Sequence, residues 1–328
     1  MNTKSIEMAD PFSYTSAAEV EGGAIVGRTL IELAQERDDI VLIAPDIGRG
    51  PATMAFIEAY PDRYIDTGIA EANSVSVAAG LAASGFRPFV FGIGAFLAPK
   101  CAEQIRTDVA MNKLPVTMIS AWGGLDMGYF GPSHHALEDI NILRGAPHLT
   151  IASAADNAAM RALMRAGIAD GLPLYIRAPS SMGSDVYRST PDFARGAAHV
   201  IAKGRDIALI GTGLGTSLCV QAAARLKESG LSPTVVDMVY LKPFDGETLC
   251  RLAREGHSLL VVEEHNTTSG LASLVAEALG RNGIAARLEA VGLPDGDLAV
   301  AVPQQILNRY GLTVDGVLAR ARALAKRQ

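Results

Sequence analysis

Two adjacent histidines, His134 and His135, stand behind a Gly131-Pro132 turn and just ahead of an acidic helix start at Glu138 and Asp139, in a chain with six histidines. An imidazole held in a loop exchanges protons near neutral pH, so His134 is a candidate to meet a reacting oxygen; a hydrogen-bonded surface histidine is the plainer alternative. A metal centre drawn from His134, His135, Glu138 and Asp139 fits the spacing poorly. Neighbouring histidines do not face one ion on a regular helix, and His134 and Glu138 stand four apart without an HExxH pattern or an obvious third ligand. No metal ligand is expected from this chain.

Glu71 offers a second chemistry. It lies in YIDTGIAEANSVSVAAGLAASG, where a strand-like RYID turns through Gly68 into a helix whose Ala, Val and Leu positions read as buried. A carboxyl at such a start is either held by the helix dipole or kept neutral by burial so that it can donate a proton. The glycines of GTGLGTS, Gly211, Gly213 and Gly215, end a strand and open a helix, but they miss the spacing of a dinucleotide loop and read as packing glycines. Cys101, Cys219 and Cys250 are far apart, lack metal spacing and read as small buried hydrophobes of a reducing cytoplasm.

The elements that must position these residues follow from apolar periodicity. After a first helix near Ala24 to Glu36, the β-branched runs IVLIAPD, RPFVFGI, PVTMISA, HLTIASA and PLYIRAP alternate with helical stretches. SSMGSDVYRSTPDF, residues 180 to 193, interrupts the pattern with Ser, Gly and Pro. A second series then runs through DIALIGTG, PTVVDMVYL, SLLVVEEH and ARLEAVG, with helices between them such as Ser217 to Glu228. The expected fold is α/β: two tandem three-layer domains with mainly parallel sheets, over 20–183 and 196–328, joined by a linker at 184–195. Ligands gather at the carboxyl ends of such strands, which puts PDIGRG, GIAEAN, GIGAFLAPK and the loop from Trp122 to His134 at one active edge.

At 328 residues the chain exceeds the roughly 250 at which single cores usually divide. Its net charge of −6 and the absence of Lys/Arg blocks argue against nucleic acid or an anionic membrane as partner. No apolar run approaches the ~20 residues of a spanning helix. The N-terminal stretch lacks the apolar core of a signal peptide and reads as a flexible lead over 1–19.

The segments GIAEANSVSVAAGLAASGFRPFVF, AFLAPKCAEQIRTDVAMNKLPV, GPSHHALEDINILR and VEEHNTTSGLASLVAEALG, in this order, resemble the C-terminal portion of transketolases. The resemblance runs from about residue 20 to nearly the end and is nearest to the form found as the small subunit of split enzymes. It extends more loosely to deoxyxylulose-phosphate synthase and to the β subunits of 2-oxo acid dehydrogenases. It implies a thiamine diphosphate enzyme whose first domain binds the aminopyrimidine and whose second is the transketolase C-terminal domain. On this resemblance Glu71 hydrogen-bonds the pyrimidine N1′ as a neutral acid, and Phe96 stacks on the ring, an ordinary core phenylalanine being the alternative. Asn73 either assists the Glu71 turn or sits on the helix surface. His134 matches the histidine that donates to substrate oxygen, while His135 stands where the family often has glutamine and lines the pocket.

Two departures from the family pattern shape the expected function. The chain has no GDG segment to hold the cofactor diphosphate and Mg²⁺, so a second, N-terminal transketolase-like subunit must supply that half. An α2β2 heterotetramer, inactive as the single chain, is expected. Second, the family's sugar-binding aspartate falls at Phe130 and a sugar-binding histidine at Trp122, while a phosphate-contacting serine falls near Gly50 and an arginine near Gly23. Arg177, in YIRAPSS, matches the remaining phosphate-contacting arginine, with a structural ion pair at the strand end as its alternative; Arg49 compensates for the lost serine. The implied reaction moves a two-carbon ketol or acyl unit between small carbonyl compounds less hydroxylated than pentose phosphates. A decarboxylating enzyme of 2-oxo acids and a non-catalytic regulatory subunit are the alternatives.

Overall fold

The computed structural model describes residues 17–178 and 185–325, with side chains from Ile25 onward. The lead expected over 1–19 lies outside the described residues up to residue 16, as do residues 180–184 of the Ser/Gly stretch. The first helix, Ala17–Glu36, begins seven residues before the expected Ala24.

The first half forms β1 (Ile40–Ala44), β2 (Tyr64–Asp66), β3 (Arg87–Ile93), β4 (Thr117–Ala121), β5 (Thr150–Ser153) and β6 (Leu174–Ala178). The second half forms β7 (His199–Ala202), β8 (Ile207–Gly211), β9 (Pro233–Asp237), β10 (Tyr240–Lys242), β11 (Ser258–Asn266) and β12 (Leu288–Leu293). They build two sheets, of order β10-β5-β6-β4-β3-β1-β2 and β12-β11-β8-β9-β7. All pairings are parallel except β10 with β5 and β7 with β9, so the expected α/β architecture with mainly parallel sheets is what forms. β1, β4, β5 and β6 are buried along their whole length, because helices cover both faces; hence their near-continuous apolar runs.

Alternate residues sort onto two cores. Ile40, Leu42 and Phe89 face Val26, Leu30 and Phe56. Val41, Ile43 and Val90 join an apolar cluster that continues unbroken into Ala208, Val236 and Val261 of the second sheet. The run PTVVDMVYL does not stay in one strand. β8 ends at Gly211, so the chain beyond Asp237 lacks a partner in its own sheet and Tyr240–Lys242 pairs with the open edge of β5 instead. The connecting segment after residue 184 is also held: the Asp156 carboxylate accepts from the Val186 and Tyr187 amides, and the Tyr187 hydroxyl lies 2.6 Å from Asp237.

Gly215 confirms the packing reading of GTGLGTS, since a Cβ there would run into the Val262 carbonyl of β11. The three cysteines are free and buried. No helix among the described residues is long and apolar enough to cross a membrane.

Candidate active site

The carboxyl ends of β1, β3 and β4 release three segments toward one edge. After β1, Pro45, Asp46 and Ile47 turn away, Asp46 in the left-handed region at φ 63°. After β3, helix Gly94–Gln104 carries Phe96. After β4, Trp122 adopts φ 53°, a conformation costly for a non-glycine residue and concentrated at functional sites. Between them helix Glu71–Ala83 opens on Glu71 itself.

Glu71 and Phe96 line one recess of about 180 Å³ with Pro45, Asp46, Ile47, Ile69 and Ile93. Its walls are apolar apart from Asp46 and the Glu71 carboxyl, and Glu71 is 9 % exposed. The recess is not the purely apolar pocket expected for a neutral acid. Lys100, one turn beyond Phe96, places Nζ 3.3 Å from both Glu71 oxygens and 4.3 Å from the Phe96 ring centroid. An ion pair and a proton-donating acid are different roles for one carboxyl, so Lys100 must give way before Glu71 can donate. Nothing in the sequence marks Lys100, which resembles any helix-surface lysine there.

His134 adjoins this recess. Its ring lies 5.0 Å from Phe96, edge-on, and 4.7 Å from Phe130, stacked. Ser133 Oγ is 2.9 Å from Nδ1. Burial, and secondarily the neighbouring His135, hold the imidazole below its ordinary pKa, so it is neutral at neutral pH. Glu71, Phe96, His134 and Phe130 thus form one continuous site, with Trp122 at the base of the loop that carries the last two.

Other sequence candidates stand elsewhere. Asn73 is exposed, on the face of its helix away from buried Glu71, because two residues advance a helix by about 200°. It cannot brace Glu71. His135 is buried, with Nε2 3.3 Å from the Gly128 carbonyl, and serves the loop rather than lining a pocket. Arg49 is exposed, with its guanidinium 5.9 Å from the Tyr64 ring centroid, on the loop whose Asp46 and Ile47 line the recess.

Arg177 requires the clearest correction. It is 2 % exposed and engaged within the chain through Nε and Nη2: Nε donates to Asp139 at 3.0 and 3.1 Å, and Nη2 donates to the Ala136 and Glu264 carbonyls at 2.8 and 2.9 Å. The ion-pair alternative is the one realised, because Asp139, far from decorating a solvated helix start, is 1 % exposed and needs a cation. His265 Nε2 lies 3.3 Å from the same carboxylate. Arg177→Met is therefore expected to destabilise the chain by about 3–5 kcal/mol in denaturant titration. A substrate contact would instead raise KM and leave the unfolding midpoint in place. The paths of His134, His135 and Asp139 also diverge, into an aromatic cluster, a backbone carbonyl and an ion pair, so they do not converge on a metal.

An aminopyrimidine fits the recess by chemistry. Phe96 offers a face, the isoleucines offer apolar walls, and Glu71 offers one carboxyl at a buried helix start. Among the described residues, no group of three His, Cys, Asp or Glu side chains is set to hold a metal ion.

Residues 18–184 match the family described as transketolase, pyrimidine binding domain, and residues 196–317 match transketolase, C-terminal domain. The chain is 33 % identical over 301 residues to one of the subunits of the apulose-4-phosphate transketolase of Phocaeicola vulgatus, spanning 91 % of this chain and 96 % of that one. It is equally similar, at 33 % over 305 residues, to 1-deoxy-D-xylulose-5-phosphate synthase of Symbiobacterium thermophilum, but spans 47 % of that protein, about half its length. Among solved structures, a split-gene transketolase described as an inactive β4 tetramer superposes with a TM-score of 0.82 at 33 % identity, covering 93 % of this chain and 98 % of that one. A transketolase variant from Pichia stipitis, at 19 % identity and TM-score 0.73, covers 97 % of this chain and 47 % of that one and shares the fold. With both domain families matched and a relative one-third identical along almost its full length, the chain belongs to the transketolase family of thiamine diphosphate-dependent transferases.

Proposed function

We propose that this chain is the pyrimidine-binding subunit of a two-component transketolase-like enzyme, with 20–183 as the pyrimidine-binding domain, 184–195 as the connection and 196–328 as the C-terminal domain. The observation that carries the reading is the adjacency of Glu71, Phe96 and His134 at one recess. In this reading Glu71 holds a proton toward the pyrimidine, Phe96 fixes the ring plane, and His134 donates to substrate oxygen. Bound there, thiamine diphosphate supplies the electron sink for transferring a two-carbon unit between carbonyl compounds. Phe130 and Trp122 stand where hydroxyl-binding side chains would be needed, which supports a substrate poorer in hydroxyls than a pentose phosphate. With Arg177 consumed internally, Arg49 on the loop after β1 is the residue to meet an anionic group.

A partner carrying the diphosphate and Mg²⁺ half completes the site. Three large apolar side chains near the recess support this: Ile69 is 79 %, Phe130 42 % and Val300 61 % exposed. They border the site from both halves of the chain, where a covering subunit would bury them. We propose an α2β2 assembly, in line with the split organisation of the solved relative, and a cytoplasmic location, in line with the three free cysteines.

The test is reconstitution. The chain alone should neither bind the cofactor with Mg²⁺ tightly nor turn over, and both should appear on adding the subunit that carries the GDG segment. Ketol transfer between aldehydes without release of carbon dioxide is the expected result; carbon dioxide from a 2-oxo acid would move the assignment to the decarboxylating relatives. A mixed complex that never binds thiamine diphosphate would overturn the proposal.

A further inference from the structure

The loop bearing Trp122, Phe130 and His134 is closed and then gripped from the second half of the chain. Gly124 and Ala136 exchange backbone hydrogen bonds of 3.1 and 2.9 Å, which join the two stems of the loop. One stem is held by Glu264 of β11, whose Oε1 accepts from the Leu125 amide at 2.9 Å. The other is held by Arg177, whose Nη2 links the Ala136 carbonyl to the Glu264 carbonyl. Gly124 sits at φ 73°, and a Cβ there would overlap the Glu264 carboxyl, so the glycine is what allows this approach. Glu264 is 2 % exposed, and among the described residues its Oε2 has no hydrogen-bond partner. A buried, half-satisfied carboxyl is costly for a purely structural anchor.

The geometry points to Glu264 as a positioning residue for His134, the means by which the C-terminal domain sets the loop of His134 against Phe96. The inference rests on the role proposed above for His134. Glu264 never touches that ring; it fixes Leu125, and through the Gly124–Ala136 bridge the backbone two residues beyond His134. Burial, and then the nearby Asp126 carboxylate, push the Glu264 carboxyl up to about 8, while Arg177 and the Leu125 amide oppose the rise. Below that pH the side chain is neutral; above it, a second anion adjoins Asp126. Asp139, Tyr175 and His265 are the other titratable groups packed around Arg177 in this junction. The folded chain keeps the proton up to about pH 8 and the unfolded chain releases it near the ordinary value of 4.5, so the junction loses stability as pH rises across that window.

Trp122, the only tryptophan of the chain, opens the same loop and reports on it by fluorescence without partner or cofactor. Three full-length forms are compared: wild type, Glu264→Gln and Glu264→Ala. In the wild type, Trp122 emission should change around pH 8; in Glu264→Gln, which keeps a neutral acceptor, it should stay flat and match the wild type at neutral pH. In the reconstituted complex Glu264→Gln should retain kcat, whereas Glu264→Ala should lose on the order of 10²-fold in kcat with the assembly intact, the scale expected for a misplaced catalytic group. An unchanging wild-type emission across the window, a Glu264→Gln as impaired as Glu264→Ala, or an assembled Glu264→Ala with full kcat would each overturn the assignment. If His134→Ala were fully active while Trp122 followed Glu264 as described, the role of His134 would fail and the positioning of the loop would stand.

Discussion

Glu71→Ala in the reconstituted complex is expected to lower kcat by about 10²–10⁴-fold, the range that positioned proton donors contribute. The chain should fold as before. Glu71 pairs with Lys100, a side chain 50 % exposed, and such pairs contribute about 0–1 kcal/mol to stability. The unfolding midpoint should therefore hardly move while turnover collapses, a separation that no packing role would produce. Glu71→Gln should be nearly as inactive, since an amide keeps the volume of the site but has no acidic proton to share. Steady-state kinetics beside denaturant titration of the same preparations is the measurement. Full turnover in Glu71→Ala would return the chain to the class of non-catalytic subunits.

His134→Ala should cost about 10²–10³-fold in kcat, the usual loss on removing one donor aimed at developing charge. The pH profile adds a qualitative signature. Burial lowers the imidazole pKa, so the neutral ring persists to more acidic pH than an ordinary histidine allows, and only below that does it charge. An acid limb assigned to this group should thus lie below the normal histidine range in the wild type and vanish in the variant. His134→Phe would keep the stacking with Phe96 and Phe130 while removing the proton chemistry, so its failure to rescue kcat separates the two contributions. A variant with wild-type turnover and an unaltered acid limb would remove His134 from the site.

The sequence disclosed those parts of the site that depend on local pattern. Glu71 was legible because the helix it begins is rich in Ala, Val and Leu and reads as buried, and Phe96 and His134 because they stand in family segments at strand ends. Sidedness was harder to read: Asn73 is only two positions from Glu71, yet the turn of the helix sends it into solvent. Ionic partners distant in the sequence were not legible. Arg177 meets the Asp139 carboxylate across 38 residues and Lys100 reaches Glu71 across 29, distances over which no spacing rule operates. The same limit applies to Glu263, whose carboxylate accepts from the Leu271 and Ala272 amides and caps the helix that follows.

Among the strands the failure was one of partnership rather than propensity. PTVVDMVYL has the β-branched character of a single strand, and nothing local marks the place where it changes sheets. What decides the break is how far β8 extends beside it. Short edge strands such as β7 were lost for a similar reason: its four residues are half-buried, and too little apolar contrast remains for a pattern to show.

The crossing of Tyr240–Lys242 into the first sheet has a genetic consequence. Between the two halves lies a polar stretch that looks like a natural seam for shuffling, yet a fragment ended there would leave β5 with a bare, adhesive margin. Chimaeras among relatives would have to carry this three-residue strand along with the amino-terminal lobe although it is encoded inside the carboxyl-terminal one. Exchanging both lobes together would keep this margin covered.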